Sequence, residues 1–116
     1  MAVSEEFNTF VLDQLNRVLP VTSRRMFGGV GYYAEGLFFA IADNDTLYFK
    51  VDDMTRKDYE REELPAFQPY GPDTPSMSYF AVPPRLLESG EDLESWLRRA
   101  VEVAARAKVR PARRSS

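Results

Sequence analysis

Three short segments rich in β-branched and aromatic residues follow one another at residues 30–34, 37–42 and 46–51, and they constrain the fold most. Only Glu35 and Gly36 separate the first two segments, and Asp43, Asn44 and Asp45 separate the second from the third. These residue types favour tight turns. Because such short connections join only antiparallel neighbours, the pattern predicts an antiparallel meander.

The middle segment is apolar on both sides. Strict alternation predicts two apolar sets, which are Leu37, Phe39 and Ile41 on one face and Phe38, Ala40 and Ala42 on the other. A sheet with one solvated face carries polar residues on that face. We therefore expect either helices on both faces of the sheet or a second subunit that closes one of them.

Helical periodicity precedes and follows these segments. Apolar residues recur at helical spacing over residues 5–19, with Ser4 as a plausible N-cap and Pro20 as the stop. Residues 21–23 read as a link. Residues 52–64 predict a charged surface helix in which Met54 and Tyr59 face inward.

The C-terminal half ends in a long helix. Residues 65–75 read as a proline-rich loop with a brief edge strand at 66–70, residues 77–82 as a last strand and residues 85–88 as a helical turn. The final helix is predicted to begin near Ser89, whose spacing to Asp92 suits a capping arrangement, and to end at Pro111.

These elements predict an α+β fold in two layers, with N- and C-terminal helices packed on an antiparallel sheet of four to five strands. At 116 residues the chain is the usual size of one domain. Residues 1–109 are expected to form that domain, and residues 110–116 a basic, disordered tail.

The residue types that are missing restrict the chemistry. The chain has no cysteine and no histidine, so neither a thiol nor an imidazole can act as nucleophile, general base or zinc ligand. The carboxylate clusters lack the spacing of a calcium loop. We expect no enzyme activity, no catalytic residues, no cofactor and no bound metal.

The charge distribution is uneven. Residues 98–116 carry seven basic residues against one acid, whereas the rest of the chain is acidic. Five basic side chains near the end are candidates for weak, non-specific phosphate contacts with nucleic acid: Arg106, Lys108, Arg110, Arg113 and Arg114. The alternative is an end that adds solubility and complements the helix dipole. With no secretory signal and no membrane-length apolar run, a cytoplasmic location is expected.

A glycine run and two arginines precede the first segment. A phosphate-binding glycine loop follows a strand and opens a helix, and here the order is reversed. Gly28 and Gly29 are instead expected to permit a bulge or positive φ, and Gly31 to let a bulky neighbour pack across the sheet. Arg24 and Arg25 remain candidates for binding an anion or a partner, unless they pair with acids of the same chain.

Seven of the 15 aromatic residues lie between Phe27 and Phe49. Aromatic sheets can stack unpaired bases, but the predicted order of elements differs from that of an RNA-recognition motif. Core packing is therefore the preferred interpretation of these aromatics.

The stretch SRRMFGGVGYYAEGLFFAIADNDTLYFKVDD, followed by TRKDYE, PAFQPYG, MSYFAVP and LESWLRRAVEVA, resembles the N-terminal domain of the TfoX/Sxy competence-regulator family. The resemblance covers about residues 7–107 and implies a compact α+β domain. It carries over no catalytic residue. Its most recognisable stretch is Arg24, Arg25, Met26, Phe27, Gly28 and Gly29, which we take as the candidate interaction or anion site.

The resemblance also implies a role. Family members regulate DNA-uptake genes together with the cyclic-AMP receptor protein, and they carry a second, helical domain, whereas this sequence is similar to the first domain alone. We expect a non-catalytic protein-interaction module that is linked to transcription regulation and can form a homodimer. Two alternatives stay open: a small-anion or nucleotide-binding domain around Arg24 and Arg25, and weak nucleic-acid binding through the basic tail.

Overall fold

The computed structural model describes residues 3–26, 28–68 and 78–114, with the backbone alone for residues 108–114. In these ranges the chain forms four helices and five strands. They are, in chain order, α1 (Glu5–Asn16), β1 (Thr22–Met26), β2 (Gly29–Ala34), β3 (Leu37–Asp43), β4 (Thr46–Lys50), α2 (Arg56–Arg61), β5 (Tyr79–Ala81), α3 (Pro84–Ser89) and α4 (Leu93–Arg114).

The predicted meander is confirmed. The five strands lie in the order β1-β2-β3-β4-β5 and all neighbours are antiparallel. Glu35 and Gly36 join β2 to β3 with φ of 53° and 77°, and Asn44 and Asp45 join β3 to β4 with φ of 52° and 54°. Two consecutive positive φ values define the two-residue turn whose twist matches antiparallel strands.

A β-bulge in β3 corrects the predicted alternation. Tyr32 pairs with Ala40 and Tyr33 pairs with Phe38, so Phe39 is an extra residue on β3. The bulge shifts the alternation by one position. Phe39 therefore joins Ala40 on the buried side, where it is fully buried, and Phe38 is on the opposite face with Tyr33.

Strand β1 was not predicted, because residues 21–23 read as a link. Thr22–Met26 pairs along its whole length with β2, from Thr22 opposite Tyr33 to Met26 opposite Gly29. Its first four residues are exposed. An edge strand with this exposure carries no apolar alternation, which explains why the sequence pattern concealed it.

Helix α1 begins as predicted and ends earlier. The Ser4 hydroxyl accepts a hydrogen bond from the backbone N–H of Phe7 at 3.1 Å, as an N-cap does. The helix ends at Asn16, not at residue 19. The Asn16 amide bonds both the N–H and the carbonyl of Val21, at 2.9 and 3.1 Å, and these bonds turn the chain toward β1.

Of the two residues expected to face inward near α2, one does so. Tyr59 is buried at 4% exposure and contacts the ring of Trp96 edge-on, with ring centroids 4.7 Å apart. Met54 is 79% exposed, so its inward placement was wrong. Met54 precedes the helix, in the turn where its N–H bonds the Asp52 carboxylate at 3.0 Å, so helical spacing does not apply to it.

The predicted cap and stop of the last helix are both wrong. Helix α3 ends at Ser89 because Gly90 is left-handed, with φ of 78°, and α4 then begins at Leu93. The Ser89 hydroxyl bonds Arg85 and Glu91, not Asp92. Helix α4 continues through Pro111 to Arg114. Disorder of residues 110–116 stays a prediction.

The edge strand predicted at 66–70 is reduced to a single bridge between Ala66 and Phe80, and residues 69–70 lie outside the described ranges. The last strand is Tyr79–Ala81, shorter than predicted, and residue 77 is likewise not described.

The helices and the sheet form two layers around one core. Helix α4 packs on β3 and β4, Asn8 of α1 bonds the hydroxyl of Tyr32, and Tyr59 of α2 contacts Phe80. Leu86 and Leu87 of α3 belong to the same core. In the described part of the chain, the helices thus share one side of the sheet, and the predicted two-layer α+β class is confirmed.

Candidate interaction surface on the sheet

The side of the sheet away from the helices is also rich in apolar residues. We call it the helix-free face and define it by Met26, Tyr33, Phe38, Ile41, Tyr48 and Tyr79, with the charged residues Arg24, Asp43 and Lys50. Its membership follows from the strand register, in which Tyr33 is opposite Phe38, Ile41 opposite Tyr48 and Lys50 opposite Tyr79. The sequence left two explanations for strands that are apolar on both sides: helices on both faces of the sheet, or a second subunit that closes one face. Among the described residues, helices pack on one face only.

The aromatic rings of this face contact one another. Tyr33 stacks on Phe38 with centroids 5.2 Å apart, and Phe38 contacts Tyr79 at 5.9 Å. Tyr48 packs on Phe67 at 4.9 Å. Tyr33, Phe38 and Tyr48 are half-buried, whereas Tyr79 is 5% exposed. The rings form an ordered apolar surface that keeps part of its area accessible.

Gly31 lets two side chains close over the sheet, as predicted. A Cβ placed on Gly31 is 2.8 Å from both Met26 Cε and Phe38 Cε1. These two side chains therefore occupy the space above the glycine and connect the β1 edge of the helix-free face to its centre.

Charged groups flank the rings. Lys50 Nζ lies 5.0 Å from the centroid of the Tyr79 ring, a cation–π arrangement, and burial lowers the pKa of Lys50. Burial raises the pKa of Tyr79 to about 12, and nearby Tyr33 acts in the same direction. Burial, followed by the charge of Asp43, raises the pKa of Tyr48. Since both tyrosines keep their protons at neutral pH, the charge of this face comes from Arg24, Lys50 and Asp43.

The predicted candidate site is only partly brought together. Arg24 pairs with Gly31 and Arg25 with Val30, so the two side chains extend from opposite faces of β1. The Arg25 guanidinium contacts the Val3 carbonyl at 3.5 Å and the Glu5 carboxylate at 3.6 Å, which agrees with the alternative of pairing within the chain. A forked grip by both arginines on one anion is not formed, and anion binding stays a prediction.

Met26, Gly28 and Gly29, which belong to the same candidate site, shape the hairpin between β1 and β2. Gly28 has φ of 80°, as expected for a turn glycine. Gly29 is buried against β3. Met26 reaches over Gly31, and Phe27 lies outside the described residues. The glycine run therefore lies between the first two strands of the sheet, and not at the entry to its first strand as the sequence suggested.

One of the basic residues near the C-terminus, Arg106, forms an ion pair within the chain. The Arg106 guanidinium donates to Asp52 Oδ2 at 2.7 Å. The side chains of Lys108, Arg110, Arg113 and Arg114 lie outside the described part of the structure. Nucleic-acid contact by this tail stays a prediction.

Asp52 joins the start of α2 to α4. Its carboxylate accepts the N–H groups of Met54 and Thr55 at 3.0 and 2.9 Å, and its own N–H donates to the Thr55 hydroxyl at 3.0 Å. Burial acts to raise the pKa of Asp52, but the hydrogen bonds from Thr55, Arg106 and Met54 outweigh it and lower the pKa to about 2. The site beside it is a cleft of about 160 Å³ lined by Lys50, Asp53, Ser78 and Arg106 among others.

The Asp52 carboxylate is expected to make stability depend on acid pH. Its folded pKa is about 2 against 3.8 in the unfolded chain, so its contribution is present above pH 4 and is lost as the pH falls toward 2. The side chain is 18% exposed, and the shift corresponds to about 2 kcal/mol. Denaturant unfolding at neutral pH and near pH 2 measures it: Asp52→Asn should lose about 2 kcal/mol less on acidification than the unmodified protein.

Asp53→Asn is the matched control for that measurement, because the Asp53 carboxylate is next to Asp52 in the sequence and is fully exposed. It should follow the unmodified protein at both pH values. An equal acid loss in the unmodified protein and in Asp52→Asn contradicts the prediction.

Sequence reasoning missed Lys50 and Asp43 as members of one surface, and it grouped Arg24 with Arg25. The doubled apolar pattern of β3 was the available signal, but the bulge at Phe39 changes which residues share a face. Within the described ranges no three carboxylates converge as a metal site requires. Neither does any described helix have an apolar stretch long enough to cross a bilayer.

Two comparisons with known proteins bear on this arrangement. The family model described as the TfoX N-terminal domain matches residues 13–104, which is most of the chain. The matched region runs from the last turn of α1 to the middle of α4 and so includes the whole sheet. Among curated proteins, no match to the chain was found.

Proposed function

Because the chain belongs to the TfoX N-terminal domain family, we propose that it is a non-catalytic protein-interaction module of transcription regulation. It works in the cytoplasm as a homodimer that closes through the helix-free face. The observation that carries this proposal is an apolar, aromatic face on a sheet whose described helices all share the other side.

Burial of this face is the source of the association energy. Phe38, Ile41 and Tyr48 are half-buried and contiguous across β3 and β4. Removing apolar surface from water favours association, and contiguous apolar patches on small proteins mark interaction sites. Polar alternation, which keeps an open sheet face in water, is missing from these strands.

Charge complementarity favours a second copy as the occupant. Lys50 is at one end of the helix-free face and Asp43 is at the other, measured along the strands. A two-fold axis that runs across the strands between two facing sheets brings Lys50 of each copy toward Asp43 of the other. A two-fold interface is self-complementary in this way.

The regulatory part of the proposal is supported by the family. The resemblance of the sequence to competence regulators implies a contact with transcription machinery, for which RNA polymerase and the cyclic-AMP receptor protein are the first candidates. Such a contact needs no reaction centre, in keeping with a sequence that contains neither cysteine nor histidine.

Light scattering over a range of protein concentrations tests the homodimer. We expect the mass to rise from one chain to two, and Lys50→Glu and Asp43→Lys each to weaken the dimer by about tenfold through like-charge contacts. The combined Lys50→Glu, Asp43→Lys protein should recover most of that loss. A strict monomer at high micromolar concentration refutes the homodimer, and so does a combined variant weaker than either single one.

Binding of purified RNA polymerase or cyclic-AMP receptor protein to the immobilised chain tests the regulatory role. We expect saturable binding to at least one of them. The control variant Phe10→Glu, on the exposed side of α1, should bind with unchanged affinity. Failure of both proteins to bind at micromolar concentration refutes the proposed partners.

A further inference from the structure

The two edges of the sheet differ. At the β5 edge, the Pro65 carbonyl accepts from Ala81 N–H at 2.9 Å, and Phe67 N–H donates to the Tyr79 carbonyl at 2.8 Å. Residues 65–67 therefore cover that edge. Strand β1 lies at the opposite end of the order and pairs with β2 alone. Within the described ranges, no backbone group bonds to its outer side.

The hairpin geometry identifies which groups face outward. Met26 pairs with Gly29, only three positions further along the chain, and the pair that closes so short a connection exchanges both backbone hydrogen bonds. Hydrogen-bonded and non-hydrogen-bonded pairs then alternate along the strands. The N–H and C=O groups of Ser23 and Arg25 consequently point away from β2. They lie two residues apart, the repeat at which an added strand binds.

The charges of β1 select among strands that fit this edge. Arg24 and Arg25 are both exposed and extend from the two faces. The pairing of Arg25 with Glu5 is long, at 3.6 Å, between side chains that are 49% and 89% exposed, so it is weak and readily exchanged. Consecutive carboxylates on an added strand also extend from alternate faces, and one can reach each arginine.

A second copy of β1 fits this edge poorly. In antiparallel self-pairing about the strand centre, Arg24 lies directly opposite Arg24 of the other copy. Like charges directly opposite each other on neighbouring strands are destabilising. The edge thus disfavours its own copy and favours an acidic strand.

We propose that the outer edge of β1 binds an extended acidic segment of a partner protein as a sixth strand of the sheet. Backbone hydrogen bonds to Ser23 and Arg25 hold the segment, and consecutive carboxylates contact the guanidinium groups of Arg24 and Arg25. Strand addition of this kind takes its affinity from the main chain and its specificity from alternate side chains. The inference rests on the proposed function, since it names the chemistry of the partner.

The probe is a blocked hexapeptide of sequence threonine-valine-glutamate-glutamate-valine-threonine, added to the isotope-labelled full chain. We expect saturable amide shifts in Thr22–Met26 at millimolar peptide, together with slower hydrogen exchange of the Ser23 and Arg25 amides. The peptide with glutamine at both glutamate positions should bind about tenfold more weakly, because the charge-assisted bonds are lost.

Ser23→Pro tests the backbone contact. It removes an outward donor and leaves the bonds between β1 and β2 intact, so peptide binding should fall at least tenfold, whereas Ser23→Ala should bind normally. If Ser23→Pro does not fold, peptide binding is measured with the double variant Arg24→Gln, Arg25→Gln, which removes the side-chain contacts instead and should also bind more weakly.

Three results overturn the inference: no shifts in β1 at millimolar peptide, undiminished binding by Ser23→Pro, or equal binding of the glutamate and glutamine peptides. The proposed homodimer is judged separately by its mass. A dimer without peptide binding therefore refutes the edge site alone, and a monomer that binds the peptide refutes the homodimer alone.

Discussion

Phe49→Ala is expected to lower the free energy of unfolding by about 3–5 kcal/mol. Phe49 is fully buried at the centre of the sheet, where it pairs with Ala40 on one side and Phe80 on the other. Its ring contacts Phe39 with centroids 5.9 Å apart. Truncation removes the apolar contact and leaves a cavity between two strands and α4 that cannot collapse, because the strand register fixes its walls.

The size of this loss relative to total stability makes it easy to measure. Small domains are stable by about 5–15 kcal/mol, so the variant should lose a large fraction of its free energy of unfolding. Urea unfolding followed by circular dichroism gives the value. Phe10→Ala is the control, since Phe10 is 39% exposed on α1 and loses little packing. A loss at Phe49 no larger than at Phe10 contradicts the central position of this ring.

The meander and the two-layer class followed from the sequence because their signals are local. The turn at Glu35 and Gly36 needs only its own two residues, and Ser4 caps α1 from three positions away. The same reasoning could not find β1. A polar edge strand is stabilised by backbone pairing with β2, and Thr22–Met26 carries no apolar periodicity of its own.

The site was harder to predict because it depends on register. Sequence reasoning placed Phe39 with Ile41, and the single bulge at Phe39 moves Phe38 to the helix-free face instead. Lys50, which comes from a different strand, reaches the same face as Asp43 through pairings that a linear pattern does not contain. Arg24 and Arg25 look like one site in the sequence, and strand alternation separates them.

The two proposed surfaces are compatible with each other. The proposed homodimer would close the helix-free face by side-chain packing, whereas the proposed sixth strand would use backbone groups at the edge of the same sheet. Arg24 belongs to both, since its side chain extends from the helix-free face and its strand forms the edge. A bound acidic segment therefore lies beside the dimer interface and can change the charge there.

Gly29→Ala is expected to destabilise the protein by about 3 kcal/mol, at the upper end of what an added methyl group causes in a packed site. A Cβ at Gly29 is placed 2.5 Å from the carbonyl oxygen of Ala42, closer than real Cβ atoms come. That oxygen belongs to the backbone of β3, which β2 and β4 hold in register on both sides. Neither strand can move away without breaking hydrogen bonds, so the clash separates β2 from β3 at the end where β2 begins.

Gly28→Ala separates this steric effect from ordinary glycine strain. Gly28 has φ of 80° and no atom within 4 Å of an added Cβ, so only the left-handed backbone opposes alanine there, at about 1 kcal/mol. In thermal unfolding, the melting temperature of Gly29→Ala should therefore be well below that of Gly28→Ala. Equal melting temperatures would contradict this prediction. They would mean that β2 and β3 separate easily at Gly29 and that the close contact with Ala42 contributes little to stability.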